Sequence, residues 1–515
     1  MQPSTAIAKN DEGNSSLECS GRVVWTPVSV LTLVLLAAAA AILRFSFLVR
    51  KPFWFDECFS VEVARLGWSD FGRLMWRREA NMSLYYLLLR GWLHFGSSPF
   101  FIRSLSVIIS LATLPAVLWL ACKLFDRRVG LLAIALISFN TYHIRYAQEA
   151  RSYSLFLLLA TLSSGFFIAA LREPSRRNRF RYVLASVLAV YAHLYALLLL
   201  AAQWLSVSRG KEITRSHPLR RAWIWIALAS SPLIVFAAKT GAGPIRWIQR
   251  PGVHDLLNFA EQIAGNDGWP LLFLYAAACL AAAIPQGKLP RLLRDARSDG
   301  WTVRLLLIWL FFPVTLIFLL SLARPLFLGR YFIFCLPALI ILAAAGLARL
   351  RPSWLLAMSL AAILLLSLQG TFSYYDHDFD LERDGSGAAT SYILDHAQLG
   401  DAILFHIAEA RIPYEFFKSL RGGASGGEAA LGPEIIYPRH GEHLDYRDFS
   451  GKPSSDFVHS LCGRYSRVWL VLMSNESHGQ PDASTLMLNH VFGESFPSVE
   501  RVQFPLVEVR LYSRP

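Results

Sequence analysis

The sequence predicts an α-helical polytopic membrane protein with a small extracytoplasmic α/β domain at its C-terminal end. Its 515 residues are 54% hydrophobic and include 15 Trp, 18 Tyr and 34 Phe. Many apolar runs reach the roughly 20 residues that a helix needs to cross a bilayer. Lys and Arg collect between these runs, a pattern typical of the cytoplasmic loops of polytopic proteins. These features exclude a soluble enzyme with a single hydrophobic tail.

The apolar runs indicate about 11 membrane segments. A polar cytoplasmic tail, residues 1–24, precedes the first of them, which shows no small-residue cleavage site and is expected to be retained. Full spans are predicted at about 25–47, 100–124, 129–146, the run ending at 171, 222–238, 269–284, 303–322, 328–347 and 353–369.

The segment 182–208 is predicted to form the remaining two membrane segments as a pair of short helices. Basic loops flank it at 172–181 and 209–221, so the chain has to leave the cytoplasmic side and return. The segment is too short for two full spans at 1.5 Å per residue. We expect a turn near Tyr191 and His193 that lines a cavity, because interrupted helices at membrane depth need protein or water around them.

The basic loops also set the sidedness of the chain. The loops 172–181, 209–221 and 287–304 are predicted to be cytoplasmic. The alternation of spans then places the N-terminus inside. It places the first outer loop, residues 48–97, and the C-terminal part outside. The predicted location is the inner (plasma) membrane of a bacterium, with the candidate active site on the extracytoplasmic face.

The chain divides into a membrane domain, residues 25–370, and an extracytoplasmic domain, residues 371–515. The second part is charged, is rich in Gly and Pro, and contains short strand-like runs. These runs lie at 402–405, 468–473 and 507–512. Helical patterns near 391–397 and 413–419 alternate with them, which is typical of a small α/β domain. It shows no Gly-rich phosphate loop and no nucleophile motif, so a lid or scaffold role is favoured.

A short stretch directly after the first span carries paired carboxylates. It reads Lys51-Pro52-Phe53-Trp54-Phe55-Asp56-Glu57-Cys58. Pro52 fits a helix end, and the aromatic side chains suit the membrane interface. Asp56 and Glu57 are predicted to open the next helix, where the N-terminal N–H groups favour negative charge. Such carboxylates can act as a base or bind a cation. The alternative is that they only cap an interfacial helix.

Further ionisable residues are predicted at the same outward depth. Charged groups at membrane depth are costly and are usually retained for function. The candidate catalytic carboxylates are Asp56, Glu57 and Glu149, and the candidate substrate-binding residues are Arg77, Arg78, Arg151, Tyr153, His193, Arg330 and Tyr331. Carboxylates suit the activation of a hydroxyl group, and guanidiniums bind phosphate in a bidentate manner. Each residue also has a structural alternative, such as a solvated charge, an ion pair, a satisfied interior histidine or an interfacial anchor.

The net charge and the cysteine pattern indicate which other ligands and cofactors the protein could bind. The net charge of +13 is mainly a topology signal and suits an anionic ligand only weakly. We find no nucleic-acid-binding motif. The six Cys have no metal-type spacing, and a disulfide framework is not expected because several of them lie in or beside spans. The sequence therefore predicts no organic cofactor and no metal centre built from Cys.

The chain resembles polytopic glycosyltransferases of the GT-C fold. The group in question contains the dolichyl-phosphate-mannose–protein mannosyltransferases (glycosyltransferase family 39) and the lipid A aminoarabinose transferase. The matching residues are Trp54-Phe55-Asp56-Glu57, the run from Ser83 to Arg90, the run from Phe101 to Ser106, the run from Tyr146 to Tyr153, and the run from Arg330-Tyr331 to Pro337. The resemblance covers roughly residues 25–350. One departure is Asn81-Met82-Ser83, where the group often has a His-Pro-Pro-type run.

The resemblance implies an inverting transfer of a sugar from a polyprenyl-phosphate carrier to an extracytoplasmic hydroxyl of a glycan, lipid or protein. It implies that Asp56 is the catalytic carboxylate and that Glu57 and Glu149 shape the sugar or acceptor pocket. Arg151 and Arg330 are then candidates for the lipid phosphate. A competing role for Asp56 is to coordinate a divalent cation at that phosphate.

Two other classes of function remain open from the sequence. Short broken helices near a charged cavity also describe secondary transporters of anionic solutes. The chain shows no repeat of two related halves, which such transporters usually have. A non-catalytic subunit of envelope-polysaccharide assembly is the other alternative, and loss of the Asp56 carboxylate would be harmless in that case.

Overall fold

The structure is a computed structural model, and it describes most of the chain from residue 26 to residue 514. The residues outside the description are 1–25, 78, 209–218, 242–247, 266–267, 285–299, 378–384, 425–431, 440–443, 446–447, 474–475, 478–479 and 515. The predicted cytoplasmic tail and most of two of the predicted basic loops therefore lie outside the described residues.

The described part of the membrane domain is helical throughout. Its helices are α1 (Pro27–Phe45), α2 (Phe55–Arg65), α3 (Trp68–Arg77), α4 (Ser83–Trp92), α5 (Pro99–Leu124), α6 (Arg127–Phe139), α7 (Thr141–Ala147), α8 (Tyr153–Arg172), α9 (Arg176–Ala192), α10 (Ala196–Val207), α11 (Arg220–Thr240), α12 (Val253–Ala264), α13 (Trp269–Ala283), α14 (Gly300–Ser321), α15 (Leu336–Ala348) and α16 (Ser353–His377). A 3-10 segment, Gly329–Cys335, leads into α15.

Seven of the described helical segments are long and apolar enough to cross a membrane, and two shorter apolar helices, α10 and α13, accompany them. The prediction of a polytopic helical membrane protein is confirmed, whereas the count of 11 spans is not. The last helix, α16, continues to His377 and so passes the domain boundary predicted at residue 370.

The predicted third span is wrong as one continuous helix, because Asn140 breaks it. Asn140 ends α6 and caps α7, where its side chain accepts the backbone N–H of His143 at 3.0 Å. Its amide group donates to the carbonyl oxygens of Ile263 and Ala264 at the end of α12. An Asn side chain that competes for backbone groups favours a helix start over a helix interior.

The predicted pair of short helices is confirmed as α9 and α10, which meet at His193–Tyr195. The basic stretch 176–181 was predicted as loop, and that part of the prediction is wrong. Ser175 caps α9 by accepting the N–H of Asn178, so the Arg-rich residues form the first turns of the helix.

The C-terminal domain is a five-stranded sheet with helices on both faces. Its elements are α17 (Ser386–His396), β1 (Ala402–Phe405), α18 (Arg411–Ala424), β2 (Glu434–Tyr437), α19 (Ser455–Cys462), β3 (Arg467–Met473), β4 (Glu476–Ser477), β5 (Gln480–Pro481), α20 (Ala483–Ser495), β6 (Ser498–Phe504) and β7 (Val507–Ser513). The strand order is β2-β1-β3-β7-β6, and β4 and β5 form a separate two-stranded ribbon.

Alternation along β1 explains the two helical layers. Ala402 and Leu404 lie in the apolar cluster that contains α19 and α20, whereas Ile403 and Phe405 lie in the cluster that contains α17 and α18. Successive side chains of a strand point to opposite faces, so a strand buried on both faces is apolar at every position. The predicted small α/β domain is therefore confirmed, with two main-sheet strands, β2 and β6, that the sequence pattern missed.

The two domains meet through aromatic contacts at α2. Phe53 stacks on Phe416 with ring centroids 4.7 Å apart. Phe449 contacts both Phe55 and Phe59 edge to face, at 5.8 and 5.7 Å. The C-terminal domain therefore lies at the same end of the helical domain as the Asp56 stretch.

Helix α8 fixes where the basic residues lie relative to that end. It has 20 residues and spans about 30 Å, and it leads from Tyr153 to the Arg-rich start of α9. We expect a single Cys placed at Arg177 to be protected from a membrane-impermeant thiol reagent in intact cells, and one at Arg501 on β6 to be labelled. Labelling at position 177 from outside would contradict the predicted sidedness.

Candidate active site

The first turn of α2 presents the paired carboxylates. Trp54 precedes the helix in an extended conformation, and Asp56 and Glu57 occupy its first turn. Negative charge in the first turn is stabilised by the unpaired N–H groups of a helix N-terminus. Consecutive residues on a helix point about 100° apart, so the two carboxylates face different surroundings.

Glu57 faces the protein interior. Its side chain is fully buried and forms a bidentate pair with Arg103 of α5, at 2.8 and 2.6 Å. Its Oε1 also accepts the backbone N–H of Ala150 at 2.8 Å. Arg103 donates further bonds to the carbonyl oxygens of Leu48, Lys51 and Pro52. Glu57 thus ties the start of α2 to α5 and to the loop before α8.

This pair predicts a stability effect that is separate from chemistry. Removing one partner of a buried ion pair typically costs about 3–5 kcal/mol because the other charge is left uncompensated. We expect Arg103→Leu to lower the unfolding temperature of the purified protein clearly more than Arg65→Leu, since Arg65 is partly exposed. An equal effect of the two variants on thermal unfolding would contradict the structural role of the pair.

Asp56 faces the opposite way, toward two guanidiniums. Its Oδ2 lies 3.3 Å from Nη2 of Arg330 and 3.8 Å from Nη2 of Arg151. Arg151 also donates to the backbone oxygen of Asp56 and to the hydroxyl of Ser60, each at 3.3 Å. Asp56 Oδ2 receives no hydrogen bond from any described residue. Asp56 Oδ2 is thus a buried atom that lies between the two guanidiniums.

Glu149 lies in a second group of charges beside the first. Its Oε1 is 3.3 Å from Nζ of Lys51, which also donates to the hydroxyl of Tyr374 at 3.2 Å. Glu149 Oε2 is buried and has no hydrogen-bond partner among the described residues. Burial lowers the pKa of the Lys51 ammonium, but Tyr374 and Glu149 outweigh that effect and raise it above its ordinary value. Lys51 therefore stays charged.

Aromatic side chains support the guanidiniums. Arg330 lies over the ring of Trp54 at 5.3 Å and over that of Tyr331 at 6.0 Å. Tyr153 is fully buried, and its ring is 5.0 Å from that of Tyr146. Contacts of a guanidinium with aromatic rings fix its position.

His193 lies in the turn between α9 and α10, next to Tyr331. It is buried between Phe156 and Tyr331, with ring centroids 5.1 and 4.8 Å away. Its Nδ1 accepts the backbone N–H of Tyr195. His193 is not among the side chains that line the cavity described below.

The two remaining predicted residues lie at the end of α3. Arg77 is on the exposed side of its last turn, unlike the other described members of the predicted set, which are buried or half-buried. Arg78 lies outside the described residues.

A cavity of about 480 Å³ opens between the two domains beside Asp56. Its membrane-domain wall is basic and aromatic and includes Lys51, Trp54, Phe55, Arg145, Tyr146, Glu149 and Arg330. Its outer wall is apolar and comes from the C-terminal domain, with Pro413, Met473, Leu506 and Val507. The arrangement suits an anionic group near the membrane and a less polar group on the outer side.

Comparison with solved structures shows what this architecture is similar to. ArnT from Cupriavidus metallidurans in the apo state superposes with a TM-score of 0.65 at 13% identity, covering 94% of this chain and 98% of ArnT. ArnT bound to undecaprenyl phosphate gives 0.64 at 14% identity, covering 93% and 97%. Both are GT-C glycosyltransferase structures.

The chain has the GT-C fold. The arabinofuranosyltransferase AftD from Mycobacteria is also similar, with a TM-score of 0.50 at 17% identity, over 94% of this chain and 41% of AftD. Neither the comparison with protein-family models nor that with curated proteins finds a match. The likeness thus lies in the fold and extends through the C-terminal domain.

The charge of Asp56 acts on two further carboxyl groups, and sequence reasoning missed both. Burial raises the pKa of Glu79, between α3 and α4, to about 7; Arg151 opposes this rise and Asp56 adds to it. The pKa of Glu409 in the C-terminal domain is raised to about 7, mainly by burial and to a lesser extent by the charge of Asp56. Burial lowers the pKa of Arg151. Asp56 and nearby tyrosines outweigh the effect of burial, so this pKa lies well above its ordinary value.

Lys51, Arg103 and Arg145 were also missed. Their positions in the sequence could have pointed to them. Lys51 and Arg103 lie in or next to the stretches that carry the GT-C resemblance, and Arg145 directly precedes the run from Tyr146 to Tyr153.

The donor set around Asp56 does not fit a metal ion held by side chains alone. The described residues contain no group of three or more His, Cys, Asp or Glu side chains placed to hold one. Arg151 and Arg330 already neutralise Asp56, so a divalent cation would have to displace them.

Proposed function

We propose that the protein is an inverting glycosyltransferase that moves a sugar from a polyprenyl-phosphate carrier to an acceptor hydroxyl. The observation that carries the proposal is the position of Asp56, whose Oδ2 lies between Arg151 and Arg330 next to the cavity that Arg330 lines. The match to ArnT over nearly the whole chain also favours a transferase.

The two arginines are the proposed site for the carrier phosphate. Guanidiniums bind phosphate oxygens with parallel N–H bonds, and a phosphodiester at the membrane boundary can keep its polyprenyl tail in lipid. The described wall of the cavity carries three basic side chains, Lys51, Arg145 and Arg330, and one carboxylate, Glu149, so an anionic group there would meet an excess of positive charge. The structure of ArnT bound to undecaprenyl phosphate supports a carrier of this class.

The chemistry needs one base and one leaving group. The acceptor oxygen attacks the anomeric carbon of the sugar while the bond from that carbon to the phosphate oxygen breaks. Asp56 takes the hydroxyl proton, and Arg151 and Arg330 stabilise the charge that grows on the departing phosphate. A single displacement inverts the anomeric configuration. Glu149, with its free Oε2, is proposed to bind a sugar or acceptor hydroxyl, and Glu57 is proposed to position α2.

The proposed location follows from the charge distribution. The site lies at the end of the helical domain that carries the C-terminal domain, opposite the Arg-rich start of α9. Positive loops stay inside, so the site is proposed to face the extracytoplasmic side of a bacterial inner membrane. Membrane lipids surround the spans, and the acceptor is a glycan, lipid or protein on that side.

The test is a donor panel with the purified protein in lipid nanodiscs. Undecaprenyl phosphate carrying radiolabelled mannose, glucose, arabinose or aminoarabinose is incubated with envelope extract as acceptor. We expect one of these labels to move to an acceptor and free undecaprenyl phosphate to appear in equal amount. Absence of both products with every donor, while the protein remains folded, would contradict the proposal.

A further inference from the structure

The β6–β7 hairpin reaches the cavity with a two-residue turn. Phe504 and Val507 pair as the residues that end β6 and begin β7, so Pro505 and Leu506 alone form the turn. Leu506 and Val507 line the cavity beside Met473, which pairs with Val507 on β3. The tip of the hairpin is thus part of the outer cavity wall.

Leu506 has a backbone conformation that suits other residue types better. Its φ is +62°, in the left-handed region. There the Cβ of an L-residue lies too close to the following carbonyl oxygen. Proline fixes its own φ at about −65°, and a turn residue with positive φ that follows such a proline is normally Gly or Asn. A leucine at this position therefore strains the turn.

Burial does not offset the strain at Leu506. Two other described non-glycine residues, Met82 and Phe47, have positive φ. Met82 is only 2% exposed and belongs to the core, and the ring of Phe47 packs on Tyr375 at 5.3 Å. Leu506, in contrast, is 73% exposed. An exposed leucine alone is ordinary, but one that is also strained and lines a cavity is typical of a binding surface.

The turn is held against the start of α17. The N–H of Gly385 donates to the carbonyl oxygen of Pro505 at 2.9 Å. A Cβ on Gly385 would lie 2.7 Å from that oxygen and from Cβ of Phe504, so the close approach requires glycine. The ring of Phe504 also packs on Tyr392 of α17, with centroids 5.9 Å apart. These contacts hold the backbone of the turn at the cavity.

The outer wall differs from the rest of the cavity in polarity. Four of the five residues that the C-terminal domain contributes to the described lining are apolar, the exception being Ser386, and the charged lining residues all belong to the membrane domain. The carrier phosphate is proposed to lie at Arg330, and its polyprenyl tail stays in lipid. The carrier thus uses the membrane side of the cavity, which leaves the outer wall to the acceptor.

We propose that the outer wall binds an aliphatic group of the acceptor and that Leu506 is a specificity-determining residue of the transferase. This inference rests on the proposed function. The accepting hydroxyl points toward Asp56, and the aliphatic group beside it covers Leu506 and Met473. Removal of this exposed apolar surface from water favours acceptors that carry such a group over purely polar ones. Leu506 takes no part in the transfer of the proton or the sugar.

A stability measurement tests the strain without any substrate. Leu506→Asn removes the aliphatic side chain and supplies a residue that tolerates the left-handed region. We expect the purified variant to unfold at the same temperature as the wild type or at a higher one, because strain is relieved and little buried area is lost. A lower unfolding temperature would show that the leucine stabilises the fold, and it would overturn the inference.

Hexyl and methyl β-glucoside test the binding of an aliphatic group, because they share a sugar and differ only in the alkyl chain. Both are compared as inhibitors of transfer to envelope extract, with the lipid-linked sugar that the wild type transfers. We expect the hexyl compound to inhibit the wild type at a roughly tenfold lower concentration than the methyl compound. The ratio should fall to about one in Leu506→Asn and persist in Leu506→Met, which keeps an apolar side chain.

Leu399→Asn is the matched control. Leu399 belongs to the same domain, is 94% exposed and does not line the cavity, so its variant should keep the wild-type ratio. Loss of the ratio in this control would reveal a general effect of the alkyl chain and overturn the inference. Equal inhibition of the wild type by both glucosides, or an unchanged ratio in Leu506→Asn, overturns the inference and leaves the transferase standing. Absence of transfer by the wild type overturns the proposed function and this inference with it.

Discussion

Asp56→Asn should fold, reach the membrane and bind the carrier, yet transfer sugar about 10²–10⁴ times more slowly than the wild type. The substitution keeps the size and much of the hydrogen bonding of the side chain but cannot take the acceptor proton. Arg151 and Arg330 keep their other contacts, so the site should stay assembled. Turnover is measured with the lipid-linked sugar that the wild type transfers, and thermal unfolding shows whether the variant is folded.

Asp70→Asn is the matched control. Asp70 lies on α3, is exposed and pairs with the neighbouring Arg73, so its variant should transfer at the wild-type rate. Chelator treatment of the wild type separates the two roles of Asp56, because a base needs no metal. We expect turnover to survive chelation. Full activity of Asp56→Asn would favour the transporter or scaffold instead.

Arg330→Ala should weaken binding of undecaprenyl phosphate by about 10- to 100-fold, since a hydrogen bond to a charged group contributes roughly 1.5–3 kcal/mol. Arg330→Lys should also be impaired, because an ammonium keeps the charge but loses the planar fork and the stacking on Trp54. Binding of the carrier can be measured by tryptophan fluorescence or scintillation proximity.

Arg501→Ala serves as the control for charge alone. Arg501 is exposed on β6 and does not line the cavity, so its loss should leave carrier binding unchanged. Equal binding by Arg330→Ala and the wild type would remove Arg330 from the phosphate site. A strong salt dependence of binding in the wild type that is reduced in Arg330→Ala would support direct contact with the phosphate.

Much of the fold could be predicted because a bilayer imposes simple requirements on sequence. Long apolar runs predicted most of the membrane helices, and the Arg-rich stretches on both sides of 182–208 predicted the pair α9 and α10. The break at Asn140 could not be predicted, since it depends on carbonyl groups of α12 that are distant in sequence. Strand β6 was missed because it is a polar edge strand with no buried face to give it a pattern.

Only part of the candidate site could be predicted from the sequence, and the reason is geometric. Asp56 and Glu57 look equivalent as neighbours, but a helix turns them about 100° apart, so Asp56 faces Arg151 and Arg330 while Glu57 pairs with Arg103. Glu409 stands in an Ala-Glu-Ala stretch without local pattern, and the charge of Asp56 acts on it only through the tertiary fold. Met473 and Leu506 line the cavity for the same tertiary reason.

Native mass spectrometry of the protein in lipid nanodiscs tests the central claim most directly. The donor is undecaprenyl phosphate that carries the transferable sugar, and the wild type should bind it. Once acceptor is added, the bound or released lipid should be undecaprenyl phosphate, whose mass is lower by that of the sugar. Asp56→Asn should hold the intact donor, and Arg330→Ala should hold little of it. Wild-type protein that binds neither donor nor free undecaprenyl phosphate would contradict the account.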